Sequence, residues 1–119
     1  MEEWKKFVIE IGFGIDQHGQ DPTNAAVKAI KDAISRVYLA GILEIGFPKI
    51  RIEALIGVPY GEKVNIDELK EVFPLKTEIE VRIVKGGLLY SGGVLMKEFQ
   101  DETPEIIIAN AVIIVYVAK

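Results

Sequence analysis

The sequence predicts an α/β fold of the two-layer α+β kind, in which one mixed sheet carries helices on one face. Three observations predict it: a β-branched and aromatic segment opens the chain, an amphipathic helix follows, and apolar segments of strand length come later. Helical spacing of apolar residues distinguishes helices from strands, whose apolar residues alternate or run continuously. At 119 residues the chain has the size of a single domain, covering 1–119.

The first strand and the first helix have the clearest patterns. Residues 5–13 are rich in β-branched and aromatic side chains, which is typical of a strand. A polar loop then ends at Asp21, a good N-cap, and Pro22 takes the first helical position, where its missing N–H costs nothing. The predicted helix ends near Gly41, and its alanines predict close packing against a sheet. Its apolar residues at helical spacing are Ala25, Ala26, Ala29, Ile30, Ala33, Ile34, Val37 and Tyr38.

The remainder of the chain is predicted to complete the order β-α-β-α-β-β. These elements are a strand over 49–58, a short helix over 66–72, a strand over 77–85 and a long apolar strand over 106–117. The segment 88–97 is compatible with an additional hairpin strand. Strands separated by a helix are expected to be parallel and joined by right-handed crossovers, whereas the last strands can be antiparallel.

The abundance of Ile and Val in 77–85 and 106–117 predicts self-association. A sheet with helices on one face leaves the other face without cover, and these strands are too apolar for that face to meet water. We therefore expect a homo-oligomer, with a trimer or a larger assembly as options. The element order resembles the fold of Bacillus-type chorismate mutase and related small trimeric α/β proteins, a resemblance of fold that implies no function.

Composition excludes several classes of function. A net charge of -4 and a pI near 5.0 argue against nucleic acid as a partner. The absence of cysteine excludes disulfides, Fe–S clusters and thiolate zinc sites. The N-terminus lacks the layout of a signal peptide, and no apolar stretch approaches the roughly 20 residues that cross a bilayer. We expect a cytoplasmic protein without a membrane partner. Its many Ile, Glu and Lys residues are typical of proteins from thermophilic organisms.

The segment Gly12–Gly19, between the predicted first strand and first helix, is the candidate site. It contains His18, the one histidine of the chain, and Asp16 two positions earlier. Asp16 and His18 are predicted to be catalytic: Asp16 orients His18 or acts as a base, and His18 transfers a proton. The following helix N-terminus could hold a small anionic molecule, because free N–H groups and the helix dipole favour negative charge there.

Further residues are predicted to bind a ligand near this pair. Glycines allow the backbone to approach a ligand closely, and the segment after the second strand is expected at the same sheet edge. The predicted ligand-binding residues are Gly12, Gly14, Gly19, Asp21, Tyr60 and Lys63. One histidine with carboxylates suits Mg²⁺ or Mn²⁺ better than Zn²⁺, and no metal or particular cofactor is predicted.

Alternative interpretations of this segment remain open. A dinucleotide site is disfavoured because Gln17 stands where the third glycine of that motif belongs, and a P-loop is absent. The segment can instead be a structural turn, buried between subunits of a non-catalytic assembly protein. A weaker alternative is an amidohydrolase-like site in which Ser91, before Gly92-Gly93, is activated by Lys28 or Lys31. A plain turn explains that glycine pair better.

The segment Gly12-Phe13-Gly14-Ile15-Asp16-Gln17-His18-Gly19 fits a GxGxDxHG signature. In this it resembles a small conserved hypothetical family of bacteria and plants that is named after a Listeria locus. The following Gln20-Asp21, the helical residues 28–36 and the overall length are similar too, so the resemblance spans the chain. It implies that the glycines, Asp16 and His18 form a site, but it implies no reaction, and whether the protein is an enzyme stays open.

Overall fold

The computed structural model describes residues 3–118, which form five strands and three α-helices. In chain order these are β1 (Lys5–Asp16), α1 (Pro22–Ile34), α2 (Leu39–Glu44), β2 (Lys49–Gly57), α3 (Ile66–Glu71), β3 (Glu78–Val84), β4 (Leu88–Ser91) and β5 (Glu105–Ala118). Short 3-10 turns lie at Gly61–Lys63 and Lys97–Phe99. The predicted two-layer α+β class with one mixed sheet is confirmed. None of the helices in this part of the chain is long and apolar enough to cross a membrane.

The sheet has the strand order β1-β5-β2-β3, and β4 also pairs with β5. β2 and β3 are parallel neighbours, as expected for strands joined through a helix. β1 and β2 run in the same direction but are not neighbours, because β5 lies between them and is antiparallel to both. β5 takes the central position because every second side chain from Ile107 to Val117 is buried, which an edge strand would not provide.

β4 continues the sheet where β2 ends. Gly57 of β2 lies opposite Asn110 of β5, and the next partners of β5 on that side are in β4, beginning with Leu88 opposite Ile108. The chain reaches β4 by crossing the end of β2 closely at Gly87. A Cβ atom on Gly87 would lie 2.0 Å from the carbonyl oxygen of Ile108, so only glycine fits this crossing.

The helix α1 lies directly on β1 and β5, which confirms the close packing predicted from its alanines. Ala25, Ala29 and Ala33 are fully buried. Opposite them, a Cβ on Gly12 would lie 2.4 Å from the carbonyl oxygen of Ala29, and one on Gly14 would lie 2.4 Å from that of Ala25. The two glycines therefore allow the helix backbone to contact the strand backbone.

Two predicted boundaries were wrong. β1 continues to Asp16 instead of ending at 13, because Gly14–Asp16 pair with β5, and local strand preference does not show that pairing. α1 ends at Ile34 instead of near Gly41, and α2 forms a separate short helix. The carbonyl oxygen of Asp32 accepts bonds from Ser35 Oγ and Arg36 Nη1, so side chains compete with the helix at this point.

Candidate functional site

The GxGxDxHG segment is divided between a strand and a loop. Gly12 to Asp16 belong to β1, and the loop proper begins at Gln17 and ends at the N-cap Asp21. Gly12 and Gly14 are buried against α1, so they belong to the contact between helix and strand and lie away from the protein surface. The predicted ligand-binding residues Gly12 and Gly14 thus have a packing role in this structure.

Asp16 fixes the beginning of α1. Its side chain is buried on the helix side of β1, where Oδ2 accepts a bond from the N–H of Asp21 at 2.8 Å and Oδ1 accepts one from Asn24 Nδ2 at 2.7 Å. Asp21 in turn caps the helix by accepting from the N–H groups of Thr23 and Asn24. Two carboxylates therefore already lie at this helix N-terminus, which opposes the anion expected there. Neither bond of Asp16 reaches His18, so the expected orientation of His18 by Asp16 is not formed.

The carboxylate that holds His18 is Asp101. The distance from His18 Nδ1 to Asp101 Oδ2 is 2.7 Å, and the side chain of Asp101 is 1% exposed while that of His18 is 31% exposed. Asp101 also accepts bonds from the N–H groups of Gly19 at 2.6 Å and Met96 at 2.9 Å, and from Gln20 Nε2 at 3.1 Å. These bonds connect two loops that are far apart in the chain.

Asp101 is ionised in the folded protein. Burial raises its pKa, but the bonds from the Met96 and Gly19 N–H groups, His18 and Gln20 outweigh burial and hold the pKa well below its usual range. A carboxylate can only accept hydrogen bonds, so the proton between the two side chains belongs to Nδ1 of His18. Nε2 is then the ring nitrogen that can take up a proton in the neutral side chain.

Gln20 ties the two loops together and takes up a left-handed backbone conformation with φ 48°. Its Nε2 lies 3.0 Å from the carbonyl oxygens of Thr103 and Glu105, besides the bond to Asp101. Its Oε1 accepts from the N–H groups of Glu102 and Thr103. Gly19, with φ 92°, provides the neighbouring turn that aims its N–H at Asp101. The loop after β1 thus anchors the segment that precedes β5.

His18 lines a shallow depression together with Glu98, Phe99 and Gln100, with a volume of about 440 Å³. The ring centroids of His18 and Phe99 are 5.3 Å apart and the rings are tilted by 35°. Phe99 is 53% exposed, so the depression offers an apolar aromatic surface beside the imidazole. This combination suits a small molecule that stacks on a ring and exchanges a proton.

Tyr60 and Lys63 lie near a separate groove. The ends of β1 and β2 do meet at one sheet edge, since Asp16 and Gly57 pair with Ile107 and Asn110 of β5. Tyr60 lines a groove of about 710 Å³ between the segments 58–62 and 83–89, and Lys63 Nζ lies 5.3 Å from its ring centroid. Neither residue lines the depression at His18.

Glu105 connects Tyr60 to the His18 loop. The Tyr60 hydroxyl donates to Glu105 at 3.3 Å, and the backbone carbonyl of Glu105 accepts from Gln20. Burial, and then the charge of Glu105 and the bond to it, raise the pKa of Tyr60. Tyr60 has φ 58°, an uncommon conformation for a large side chain. The groove and the depression are therefore neighbouring but distinct surfaces.

The amidohydrolase-like arrangement is not formed. Ser91 ends β4, and the N–H of Gly93 just after it donates to the carbonyl oxygen of Pro104, the residue before β5. Lys28 Nζ instead donates to the carbonyl oxygen of Ile15 at 3.1 Å. Within residues 3–118, no hydrogen bond joins Ser91 to Lys28 or Lys31, and no group of three or more metal-ligating side chains is present.

The sequence reasoning missed Asp101, the residue that holds His18. Asp101 stands in a segment without clear periodicity, next to Glu102, where it resembles any solvated acidic residue. The signal that could have found it is topological. If the last strand pairs antiparallel with the first, the residues that precede β5 must lie beside those that follow β1, and this brings Asp101 to His18.

The fold and this site define a small α+β protein with a histidine–aspartate pair where two loops meet. The chain matches the model of a family described as a conserved hypothetical protein (Lin0512_fam) over residues 6–115, and it belongs to that family. The crystal structure of an FtsZ-like protein of unknown function from Nostoc punctiforme is similar, with 34% sequence identity, a TM-score of 0.85 and full coverage of both chains. The comparison with curated proteins gave no match. The resemblance to the chorismate mutase fold stays a prediction.

Proposed function

We propose that this protein binds a small molecule in the depression at His18 and that His18 exchanges a proton with it. The observation that supports this is the distance of 2.7 Å between His18 Nδ1 and the buried carboxylate of Asp101. The family and the Nostoc protein carry no assigned function, so the proposal depends on the geometry of this site.

The pair has the arrangement that general acid–base chemistry needs. A buried carboxylate that accepts the Nδ1 proton fixes the orientation and the tautomer of the imidazole. The carboxylate of Asp101 also accepts bonds from two backbone N–H groups, so these bonds keep it in place when the His18 ring moves. Nε2 has no protein partner within residues 3–118, and it is free to accept a proton from a bound molecule.

The surroundings of His18 indicate what the bound molecule is like. Phe99 offers the face or edge of an exposed aromatic ring, and Glu98 places a carboxylate at the rim. A flat, partly apolar molecule with a proton-donating group suits these features better than a strongly charged anion, which Glu98 would oppose. The volume of about 440 Å³ lies within the range of small-molecule sites.

The state of the imidazole is the first test. Long-range ¹H–¹⁵N NMR spectra of the protein labelled on histidine distinguish the two tautomers, and His18 is the one histidine of the chain. We expect the neutral ring to carry its proton on Nδ1. The Asp101→Asn variant removes the charge and is expected to weaken or reverse that preference. A proton on Nε2 in the wild-type protein would overturn the proposal.

Ligand binding is the second test. A library of small aromatic and heteroaromatic compounds is screened by ligand-observed NMR against the wild-type protein and against His18→Gln. We expect hits that lose binding in His18→Gln and keep it in the matched control Tyr60→Phe, because Tyr60 lines the other groove. Hits that bind both variants equally, or no hits at all with the wild type, would contradict a binding site at His18.

A second candidate function is a non-catalytic assembly protein. The observation that favours it is the structural use of most of the signature: Gly12 and Gly14 admit the helix, and Asp16 holds its first turn. In that case His18 and Asp101 only join two loops. His18→Gln would then leave all ligand spectra unchanged while altering the thermal stability or the state of association.

A further inference from the structure

An apolar strip extends along the sheet face that α1 does not cover. On β1, the side chains of Ile9, Ile11 and Phe13 point away from the helix, and between 58% and 63% of each is exposed. We call these three residues the β1 strip. On β5, Ile114 lies opposite Ile9 and Val112 lies opposite Ile11, so the apolar surface continues onto the next strand.

The chain exposes more surface than a compact monomer of its mass. The chain exposes 7327 Å², whereas a compact monomer of 13.2 kDa is expected to expose about 6,400 Å². The excess of about 900 Å² matches the roughly 800 Å² that each partner buries in a standard interface. The radius of gyration of 15.9 Å also exceeds the value of about 13.5 Å for a compact chain of this length.

The outer edge of β1 is closed to a further strand. Lys28 and Asp32 of α1, and Arg36 just after the end of that helix, reach over to the middle of this edge and bind its backbone groups. The N–H of Phe13 donates to Asp32 Oδ2 at 3.0 Å, the carbonyl of Ile11 accepts from Arg36 Nη1 at 3.0 Å, and the carbonyl of Ile15 accepts from Lys28 Nζ at 3.1 Å. Association through β1 is therefore expected at its face, since edge-to-edge pairing would have to break these bonds.

The charged part of the same face suits a second copy. Beyond β5, the side chains of β2 and β3 that point to this face include Arg51, Glu53, Glu80 and Arg82. An apolar strip bordered by charges of both signs is complementary to itself, because a two-fold axis can bring an acidic residue of one copy to a basic residue of the other. An anionic lipid surface suits this acidic chain poorly.

We infer that a second copy of this chain covers the β1 strip, packing face to face onto the same strip of its partner. The proposal does not depend on the chemistry at His18. It predicts that His18→Gln associates like the wild type, so failure of one proposal leaves the other standing.

Sedimentation velocity of the wild type and two charge variants tests this inference. We expect the wild type to sediment as a dimer or a larger oligomer, and Ile9→Glu and Ile9→Lys each to raise the dissociation constant at least about tenfold, or about 1.4 kcal/mol. Mixing the two variants is expected to restore association, because opposite charges then meet across the interface. Ile9 is 58% exposed in the single chain, so a charged residue there is compatible with folding, and circular dichroism checks this.

The matched control is Ile45→Glu. Ile45 is apolar and 64% exposed, but it follows α2 in the helix layer, away from the sheet face that carries the strip. This variant is expected to associate like the wild type. A monomeric wild type, unchanged association of the folded Ile9 variants, or dissociation by Ile45→Glu alone would each overturn the inference.

Discussion

Nδ1 of His18 lies 2.7 Å from Oδ2 of Asp101, although 83 residues separate them in the chain. The antiparallel pairing of β1 with β5 produces this contact, since it places the residues after β1 beside those before β5. The end of β1 and the loop after it therefore have two kinds of residue. The side chains of Asp16 and Asp21 accept hydrogen bonds at the beginning of α1. His18, Gly19 and Gln20 instead bind Asp101 in the segment before β5.

Replacing Asp101 is expected to lower stability more than replacing His18. Asp101→Ala leaves the partly buried N–H groups of Gly19 and Met96 without their acceptor, whereas His18→Gln removes one partly exposed ring. Thermal and urea unfolding of both variants measures the difference. An equal loss of stability in the two variants would show that the backbone bonds to Asp101 contribute little.

The contribution of Asp101 should also depend on pH in a definite direction. Hydrogen bonds to the carboxylate hold its folded pKa below the unfolded value of about 3.9, so its stabilising contribution is complete above about pH 5. It is lost as the pH falls below about 4 and towards the folded pKa. The difference in unfolding free energy between the wild type and Asp101→Asn is therefore expected to shrink as the pH falls from about 5 into acid. A difference that grows in acid would contradict this assignment.

A methyl group on Gly12 is expected to separate α1 from the sheet. The new Cβ would lie 2.4 Å from the Ala29 carbonyl oxygen and from the Ala33 nitrogen, and neither backbone atom can move alone. We expect Gly12→Ala to lower the free energy of unfolding by about 1–3 kcal/mol, or to prevent folding. Gly46→Ala is the control: that Cβ has nothing within 4 Å, so only the positive φ opposes it. A similar loss in both variants would argue against the close helix contact.

Asp16 is expected to behave as a structural residue. Asp16→Ala leaves the N–H of Asp21 and the amide of Asn24 without an acceptor and should cost about 1–3 kcal/mol of unfolding free energy. Asp16→Asn keeps one acceptor oxygen and should cost less. Neither change should alter the tautomer of His18 in the NMR spectrum. A changed tautomer of His18 in folded Asp16→Asn would instead support the prediction from the sequence that Asp16 positions His18.

Local signals in the sequence predicted local structure, and long-range pairing explains what they missed. Asp21 and Pro22 marked the beginning of α1 correctly because capping involves neighbours in the chain. Gly14 and Asp16 have weak strand preference, and pairing with β5 holds them in β1, so the strand was predicted too short. The same pairing makes Asp101 the partner of His18. The sequence indicated His18 as a candidate site residue, but the identity of its carboxylate partner depended on the order of the strands.

The last prediction concerns Gln20, which holds the segment before β5 against the loop after β1. Its Oε1 accepts from the N–H groups of Glu102 and Thr103, and its Nε2 donates to carbonyl oxygens of the same segment. Gln20→Ala removes these bonds while leaving the N-cap of α1 intact, so we expect local opening without global unfolding. Hydrogen exchange should become faster at Glu102 and Thr103 but not at the amides of α1.

The Gln20→Gly variant distinguishes the effect of losing the side-chain hydrogen bonds from the effect of disturbing the left-handed backbone conformation. Glycine adopts the positive φ of this position without strain, so it removes the bonds but not the turn. If the bonds matter, Gln20→Gly and Gln20→Ala accelerate exchange at Glu102 to a similar extent. If the left-handed turn matters instead, only Gln20→Ala does so. Because Asp101 lies in the same segment, loss of the bonds should also broaden the His18 resonances, which would show that Gln20 positions the carboxylate as well as the loop.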